Sequence, residues 1–283
     1  MLRSSHNTFF GLETPWTDAK TVLFGAPYDS TTSFRPGARF GPAAMRAESF
    51  GLESYSPYQD KDLYDTDTVA DAGDLELPFG SPEPALALIE EQAAAILSAG
   101  KRPFLLGGEH LVTLGAVRAV ARMHPDLCLI HFDAHTDLRA DYLGSSLSHA
   151  TVIRRCWDLL GDGRIHQFGI RSGERTEFVW AQEHTHLQKF DFTGLESTVA
   201  SLAGKPIYFT IDMDVLDPSA FPGTGTPEAG GCSFLQLLDA IKTVCQLNII
   251  GCDLVELAPV YDPSGRSTAV ACKLLRELLL ALA

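Results

Sequence analysis

Alternation of strand-length and helix-length segments is the feature that most restricts this chain. TVLFGAPYD (Thr21 to Asp29) reads as a strand running into a loop, and GPAAMRAESFGLESY as a helix with Pro42 near its start. EPALALIEEQAAAILSAG has the apolar spacing of an amphipathic helix, stopped by Gly100. RPFLLGG, LCLIHFDAH, RIHQFGIRS, PIYFTIDMDVLDP and NIIGCDLVELAP are further strands, with LVTLGAVRAVARMH and SFLQLLDAIKTVCQ as helices among them. TAVACKLLRELLLALA closes the chain as a helix. Strands separated by helices need crossover connections. The expected fold is therefore α/β, three-layered α/β/α, with a mostly parallel sheet at its centre. No Ser/Gly-rich, charged or repetitive tract divides the sequence, so residues 1–283 are read as one domain.

Ligands of such folds sit at the carboxyl ends of the strands, and that is where the unusual residues fall. RPFLLGG is followed by Glu109 and His110, LCLIHF by Asp133, His135 and Asp137, IYFTI by Asp212 and Asp214, and GCDLV by Glu256. Strands of one sheet lie about 4.8 Å apart, so neighbouring ends can converge. In an extended segment residues i, i+2 and i+4 point the same way, which gives the spacing of DAHTD a local reason. Four aspartates in one cleft would repel one another and resist ionisation, whereas two divalent cations neutralise them in full. The set His110, Asp133, His135, Asp137, Asp212 and Asp214 is oxygen-rich, with two imidazoles and no thiolate. That favours Mn²⁺ over a structural Zn²⁺. Two such ions about 3.5–4 Å apart can hold a bridging hydroxide that is nucleophilic at neutral pH. Each piece alone has a plainer explanation: a DxD pair is common on surface turns, and GGEH also starts a helix with Glu109 at its positive end. Their sum argues for a metal centre. His131 shares the ligands' parity but lies inside the apolar run, and is read as a core histidine or one that supports the ligands from behind.

Composition excludes other classes. The net charge of −14 argues against non-specific nucleic-acid binding and is compatible with a small cationic ligand. No apolar run approaches the roughly 20 residues of a membrane helix, and the first residues lack the apolar core of a signal peptide. The six cysteines are scattered and form no CxxC pair, which suits a reducing compartment. A soluble, cytoplasmic protein is expected.

With these residues in view, the chain resembles the ureohydrolase family of arginases, agmatinases and their relatives. The three signatures of that family stand here as GGEH (107–110), DAHTD (133–137) and DMDVLDPS (212–219), and the likeness runs from GAPYDSTTSFRPGARFGP to ELAPVYDPSGRSTAVACKLLRELL. SFRPGARFGP, SHAT, PGTGTPEAGG and VELAPVYD are most similar to the agmatinase branch. The resemblance implies an eight-stranded, arginase-like sheet and two Mn²⁺ per chain. His110, Asp133, Asp137 and Asp212 would hold one ion and Asp133, His135, Asp212 and Asp214 the other, with Asp133 and Asp212 bridging. It further implies hydrolysis of a guanidino group to urea and an amine, agmatine giving putrescine, in a homo-oligomer, a hexamer or a trimer. Glu109 stands where much of the family has Asp.

A guanidinium is a poor electrophile, so an enzyme must bind the cation and protonate the leaving amine as well as supply a nucleophile. Glu256 matches the family's guanidinium-binding glutamate, and a carboxylate can pair with two guanidinium N–H groups; otherwise it is an ordinary strand-end glutamate. His149, in LSHAT, is the candidate proton shuttle because histidine titrates near neutrality; otherwise it is a loop histidine with a structural hydrogen bond. Thr224 and Thr226 line the site, or their glycine neighbours merely serve turns. Arginases hold the α-substituents of arginine partly with an Asn two residues after DAHTD. Here that residue is Arg139, which keeps 4-guanidinobutyrate as a second substrate. Asp141 and Glu174 are the candidate partners of agmatine's distal ammonium. A catalytically silent, metal-holding subunit is the reading from a different class, and a single-metal deacetylase a further one.

Overall fold

The structure, a computed structural model, describes residues 7–66 and 68–283. The described elements are β1 (Thr21–Ala26), α1 (Gly41–Ser49), the short strands β2 (Tyr55–Ser56) and β3 (Lys61–Asp62), β4 (Val69–Asp74), α2 (Pro82–Ser98), β5 (Arg102–Gly107), α3 (Val112–Met123), β6 (Cys128–Phe132), α4 (Val152–Leu160), β7 (Ile165–Ile170), α5 (Arg175–His184), β8 (His186–Lys189), α6 (Leu195–Ser201), β9 (Pro206–Asp212), α7 (Phe234–Val244), β10 (Asn248–Val255) and α8 (Arg266–Leu282). Eight strands form one sheet in the order β4-β1-β5-β10-β9-β6-β7-β8, with every pair parallel, as the alternation predicts. β2 and β3 pair separately as an antiparallel hairpin.

The strands of the sheet's centre are apolar on both faces because helices cover both. On β1, Val22 and Phe24 join one buried cluster and Leu23 the other; on β6, Leu129 faces one way and Cys128, Ile130 and Phe132 the other. The first cluster packs under α2, α3 and α4, the second under α7 and α8. Three layers result. Among the described residues no helix is long and apolar enough to cross a membrane.

Element ends follow local chemistry. Pro42 sits in the first turn of α1, and Gly100 ends α2 in the left-handed region at φ 72°. The helix expected through Tyr55 stops at Ser49, six residues early. The Ser49 hydroxyl there bonds the Arg46 carbonyl and accepts from the Phe10 amide, and Gly51 follows. What positions the site is the order of the middle strands. β5, β10, β9 and β6 are neighbours although they are far apart in sequence, so the ends carrying His110, Glu256, Asp212 and Asp133 meet side by side.

Candidate metal centre and cleft

Gly108 makes the first approach possible. It follows β5 so closely against the next loop that a Cβ would lie 1.9 Å from the Tyr28 carbonyl oxygen. The chain then delivers His110, whose Nδ1 is 3.1 Å from Asp133 Oδ2, 3.2 Å from Asp137 Oδ2 and 3.3 Å from Asp212 Oδ2. That nitrogen is buried and, among the described residues, makes no hydrogen bond. Donor atoms sharing one ion at about 2.1 Å in octahedral geometry lie about 3 Å apart, so an imidazole nitrogen stranded among three carboxylate oxygens fits a cation between them. A second group forms beside it. His135 Nδ1 is 3.0 Å from Asp214 Oδ2 and 3.4 Å from Asp133 Oδ1. Asp133 thus turns one oxygen to each group. His110, His131, Asp133 and Asp137 form one cluster compatible with an ion, and Asp133, His135 and Asp214 another. Asp212 belongs to neither but abuts the first through its Oδ2, while its Oδ1 accepts the Asp214 amide at 2.8 Å.

DAHTD does not run extended throughout. Asp137 lies in the left-handed region at φ 52°, and His135 bridges to Ser172. The extended alternation expected for the segment therefore fails at its end: Asp133 and Asp137 reach His110, while His135 turns to Asp214. Glu177, on α5, holds this bend by accepting from the Thr136 hydroxyl (2.6 Å) and the Leu138 amide (3.0 Å).

Electrostatics reflect the crowding. Burial raises the Asp137 carboxyl to about 7, with the Asp133 charge adding to it. Burial and then the Asp214 and Asp133 charges push Asp212 well above the carboxylate range. Burial works against Asp133 too, but His131, His110 and His135 outweigh it and hold Asp133 well below that range. The site needs positive charge, and a buried carboxylate cluster obtains it from protons or from cations.

Above this floor a cleft of about 280 Å³ opens, lined by His110, His135, Asp137 and Asp212 with Glu256, His149, Arg139, Tyr142, Glu174 and Thr226 among others. Glu256, buried and left-handed at φ 66°, accepts the His110 amide at 2.7 Å. Burial, then the Glu109 and Asp214 charges, raise its pKa well above the usual range, although the amide bond opposes this. His149 has Nδ1 3.0 Å from the Thr31 carbonyl and Nε2 3.3 Å from Ser33 Oγ. Burial lowers its pKa to about 4, so it does not titrate near neutrality as its residue type alone suggests. Arg139 is committed: Nη1 pairs with Glu174 Oε1 at 2.9 Å, Nε lies 3.7 Å from Glu177 Oε2, and the guanidinium stacks on Tyr142. Thr226 bonds Asp214 Oδ2 at 3.3 Å. Two candidates lie elsewhere. Thr224 is buried away from the cleft, its carbonyl held by Arg35, and Asp141 is exposed, capping the Gly144 amide in a tight turn. Asp and Thr in polar loops carry no sequence signal that separates a wall residue from a turn residue. Ser33 and Tyr142 escaped the sequence reading for the same reason, and Glu177 as one more charged residue of a helix.

A parallel α/β sheet with paired His/Asp clusters over its middle strands, open to an acidic cleft, defines a hydrolytic enzyme with a candidate metal centre. The chain belongs to the arginase family, whose family model matches residues 19–281. It is 48% identical over 280 residues to an agmatinase of Bacillus subtilis strain 168, covering 98% of this chain and 96% of that one. It is 36% identical to a guanidinobutyrase of Pseudomonas aeruginosa, covering 94% and 87%. The solved agmatine ureohydrolase of Thermoplasma volcanium superposes with a TM-score of 0.90 at 35% identity, covering 99% of this chain and 95% of that one.

Proposed function

We propose that the protein is an agmatinase, hydrolysing agmatine to putrescine and urea at a pair of Mn²⁺ ions held by His110, Asp133, His135, Asp137, Asp212 and Asp214. The observation that carries the substrate choice is the charge of the cleft. Asp137, Asp212, Glu256, Glu174 and Glu177 line it, with Asp133 and Asp214 buried beneath, and Arg139, which is already paired, is the single guanidinium in the lining. Two divalent cations still leave negative charge in excess. A ligand with a guanidinium at one end and an ammonium at the other is attracted along its whole length, whereas a carboxylate at the distal end is repelled. Glu174, 56% exposed at the rim, is the candidate partner of the distal ammonium.

When bound, the ions supply a nucleophile at neutral pH by acidifying water. Glu256 receives the guanidinium: one oxygen is tied to the His110 amide, and the carboxylate regains through the cation the charge that burial resists. His149 starts neutral. Its Nδ1–H donates to the Thr31 carbonyl, so Nε2 presents a lone pair to the cleft. As the new C–O bond forms and the bond from carbon to the alkyl nitrogen breaks, Nε2 takes up a proton and passes it to the leaving amine. The six cysteines are free, and five of them are buried, which supports a reducing, cytoplasmic setting. The homohexamer or trimer implied by the family likeness belongs to the same reading.

The test is urea release by the Mn²⁺-loaded protein from agmatine, L-arginine and 4-guanidinobutyrate in parallel. Agmatine is expected to be the substrate by a wide margin. Preference for 4-guanidinobutyrate would overturn the charge argument and make Arg139 the selecting residue. Two bound ions with no urea from any of the three would leave a silent metal-holding subunit.

A further inference from the structure

We propose that Asp253, Thr210, His131 and Gln167 form one polar row beneath the metal site that fixes which atoms of His110 and Asp133 face the ions. They act as positioning residues, so the inference rests on the ligand assignment above but not on the identity of the substrate. The four are mutual neighbours in the sheet. Asp253 of β10 pairs in register with Thr210 of β9, Thr210 with His131 of β6, and His131 with Gln167 of β7. Register partners in a parallel sheet project from the same face. Here that face is the one under α2, α3 and α4, where Tyr208, Leu129 and Ile165 pack. All four are fully buried. Polar side chains occupying one row across four apolar strands need a common reason, because buried polar groups persist where they are hydrogen-bonded.

At one end, Gln167 Nε2 donates to the Thr136 carbonyl at 2.8 Å, and its Oε1 accepts from Thr185 Oγ1 at 3.2 Å. With the amide so oriented, its nitrogen also faces His131 Nδ1, at 3.1 Å, which makes that nitrogen the acceptor. The ring proton of His131 then lies on Nε2, 2.7 Å from Asp133 Oδ2. At the other end, Tyr208 donates to Asp253 Oδ2 at 2.7 Å, and the Thr210 and Thr113 hydroxyls face the same carboxyl group. Asp253 Oδ1 is buried and, among the described residues, meets no donor at full hydrogen-bond geometry. Thr210 Oγ1 is 2.9 Å from His110 Nε2.

Burial opposes the charge of Asp253, and His110 with the three facing hydroxyls favours it; as a carboxylate it accepts only, so it draws the Thr210 hydroxyl proton toward itself and leaves the hydroxyl oxygen to accept from His110 Nε2–H. In the neutral ring His110 Nδ1 then carries its lone pair into the three carboxylate oxygens, the tautomer a cation requires. With the relay reversed, Nδ1–H would point at those oxygens and close the position. Asp253 therefore decides whether His110 can be a ligand at all, without touching an ion.

The experiment is a titration with Mn²⁺ alone, following free Mn²⁺ by electron paramagnetic resonance, on the wild type, Asp253→Asn, Thr210→Val and Thr210→Ser. The carboxamide of Asp253→Asn still accepts from Tyr208 but offers N–H to Thr210, reversing the relay. One of the two ions is expected to bind about 10–100-fold more weakly in Asp253→Asn and Thr210→Val, while Thr210→Ser restores it. Urea midpoints of the metal-free proteins separate this from general damage, since loss of packing alone would weaken Thr210→Ser as well. Wild-type affinity for both ions in folded Asp253→Asn and Thr210→Val would overturn the proposal, as would Thr210→Ser behaving like Thr210→Val. A wild type that takes up no Mn²⁺ would remove the ligand assignment and this row with it. Tight uptake without agmatine hydrolysis would remove only the substrate reading.

Discussion

Glu256 and His149 carry the residue-scale argument, because each has a position that its sequence context suggests and a protonation state that it does not. Glu256→Gln keeps an acceptor for the His110 amide and loses the charge that meets a guanidinium. A charge-assisted hydrogen bond contributes about 1.5–3 kcal/mol, so kcat/KM for agmatine is expected to fall about 10–100-fold, measured by urea release at saturating Mn²⁺. An unchanged kcat/KM would place the guanidinium elsewhere. His149→Asn removes a proton carrier without disturbing the floor. Its kcat should drop by roughly 10²–10⁴ while KM stays within a few-fold, the mark of a group used in the transition state. The candidate ligands were legible because carboxylates and histidines ending several apolar strands at once have, taken together, no other ready use. Of the supporting residues His131 was read and the other three were not, although a signal existed: Thr210 in IYFTID, Asp253 in GCDLV and Gln167 in IHQFGI are each a polar residue inside an apolar run, and such a residue needs a partner. Whether it supports a metal or merely a neighbour depends on register, which sequence does not display.

At the scale of elements, six of the eight strands of the main sheet were readable from apolar runs, and the two missed are its edges. β4 (VADAGD) and β8 (HLQK) terminate the sheet order and are half exposed, so neither shows a continuous apolar stretch. The β7–β8 edge carries a pH-sensitive contact. His166 stacks on His186 with ring centroids 4.6 Å apart, and both of its nitrogens are buried without partners among the described residues. Burial, with the His186 and Lys205 charges, lowers its pKa to about 4, against about 6.5 in an unfolded chain. The folded state thus refuses a proton that the unfolded state accepts. Its contribution is intact above pH 6.5 and is lost as pH falls from there toward 4. Between pH 7 and pH 5 the wild type should lose about 1–2 kcal/mol more than His166→Phe by urea denaturation, the difference cancelling other titrations. Parallel pH profiles for the two proteins would mean that the edge opens enough to hydrate the ring.

Across the whole molecule, the crowding of charge at the sheet's carboxyl ends makes stability depend on what fills the site. In metal-free protein, burial raises Asp137 to about 7, above its unfolded value near 4, so the folded state binds a proton that the unfolded state releases. His110 and His135 are also raised; burial opposes this, but the surrounding aspartates outweigh it. Raised groups of both kinds add stability as pH falls and withdraw it as pH rises through their folded values. Metal-free protein should therefore become less stable on going from pH 7 to pH 8.5. Metal-loaded protein should move the other way, because ions bind the deprotonated side chains and protons compete with them. Ions that bind only the folded chain stabilise it by about 2.7 kcal/mol at a hundred times their dissociation constant. Thermal unfolding with and without a chelator is thus expected to show two Tm curves that converge toward acid and separate toward alkali. The direction of the separation decides between a site built for cations and a cluster neutralised by protons: curves that stay parallel, or a chelator without effect at pH 8.5, would mean that the protons held by Asp137, Asp212, His110 and His135 suffice and the cluster needs no metal.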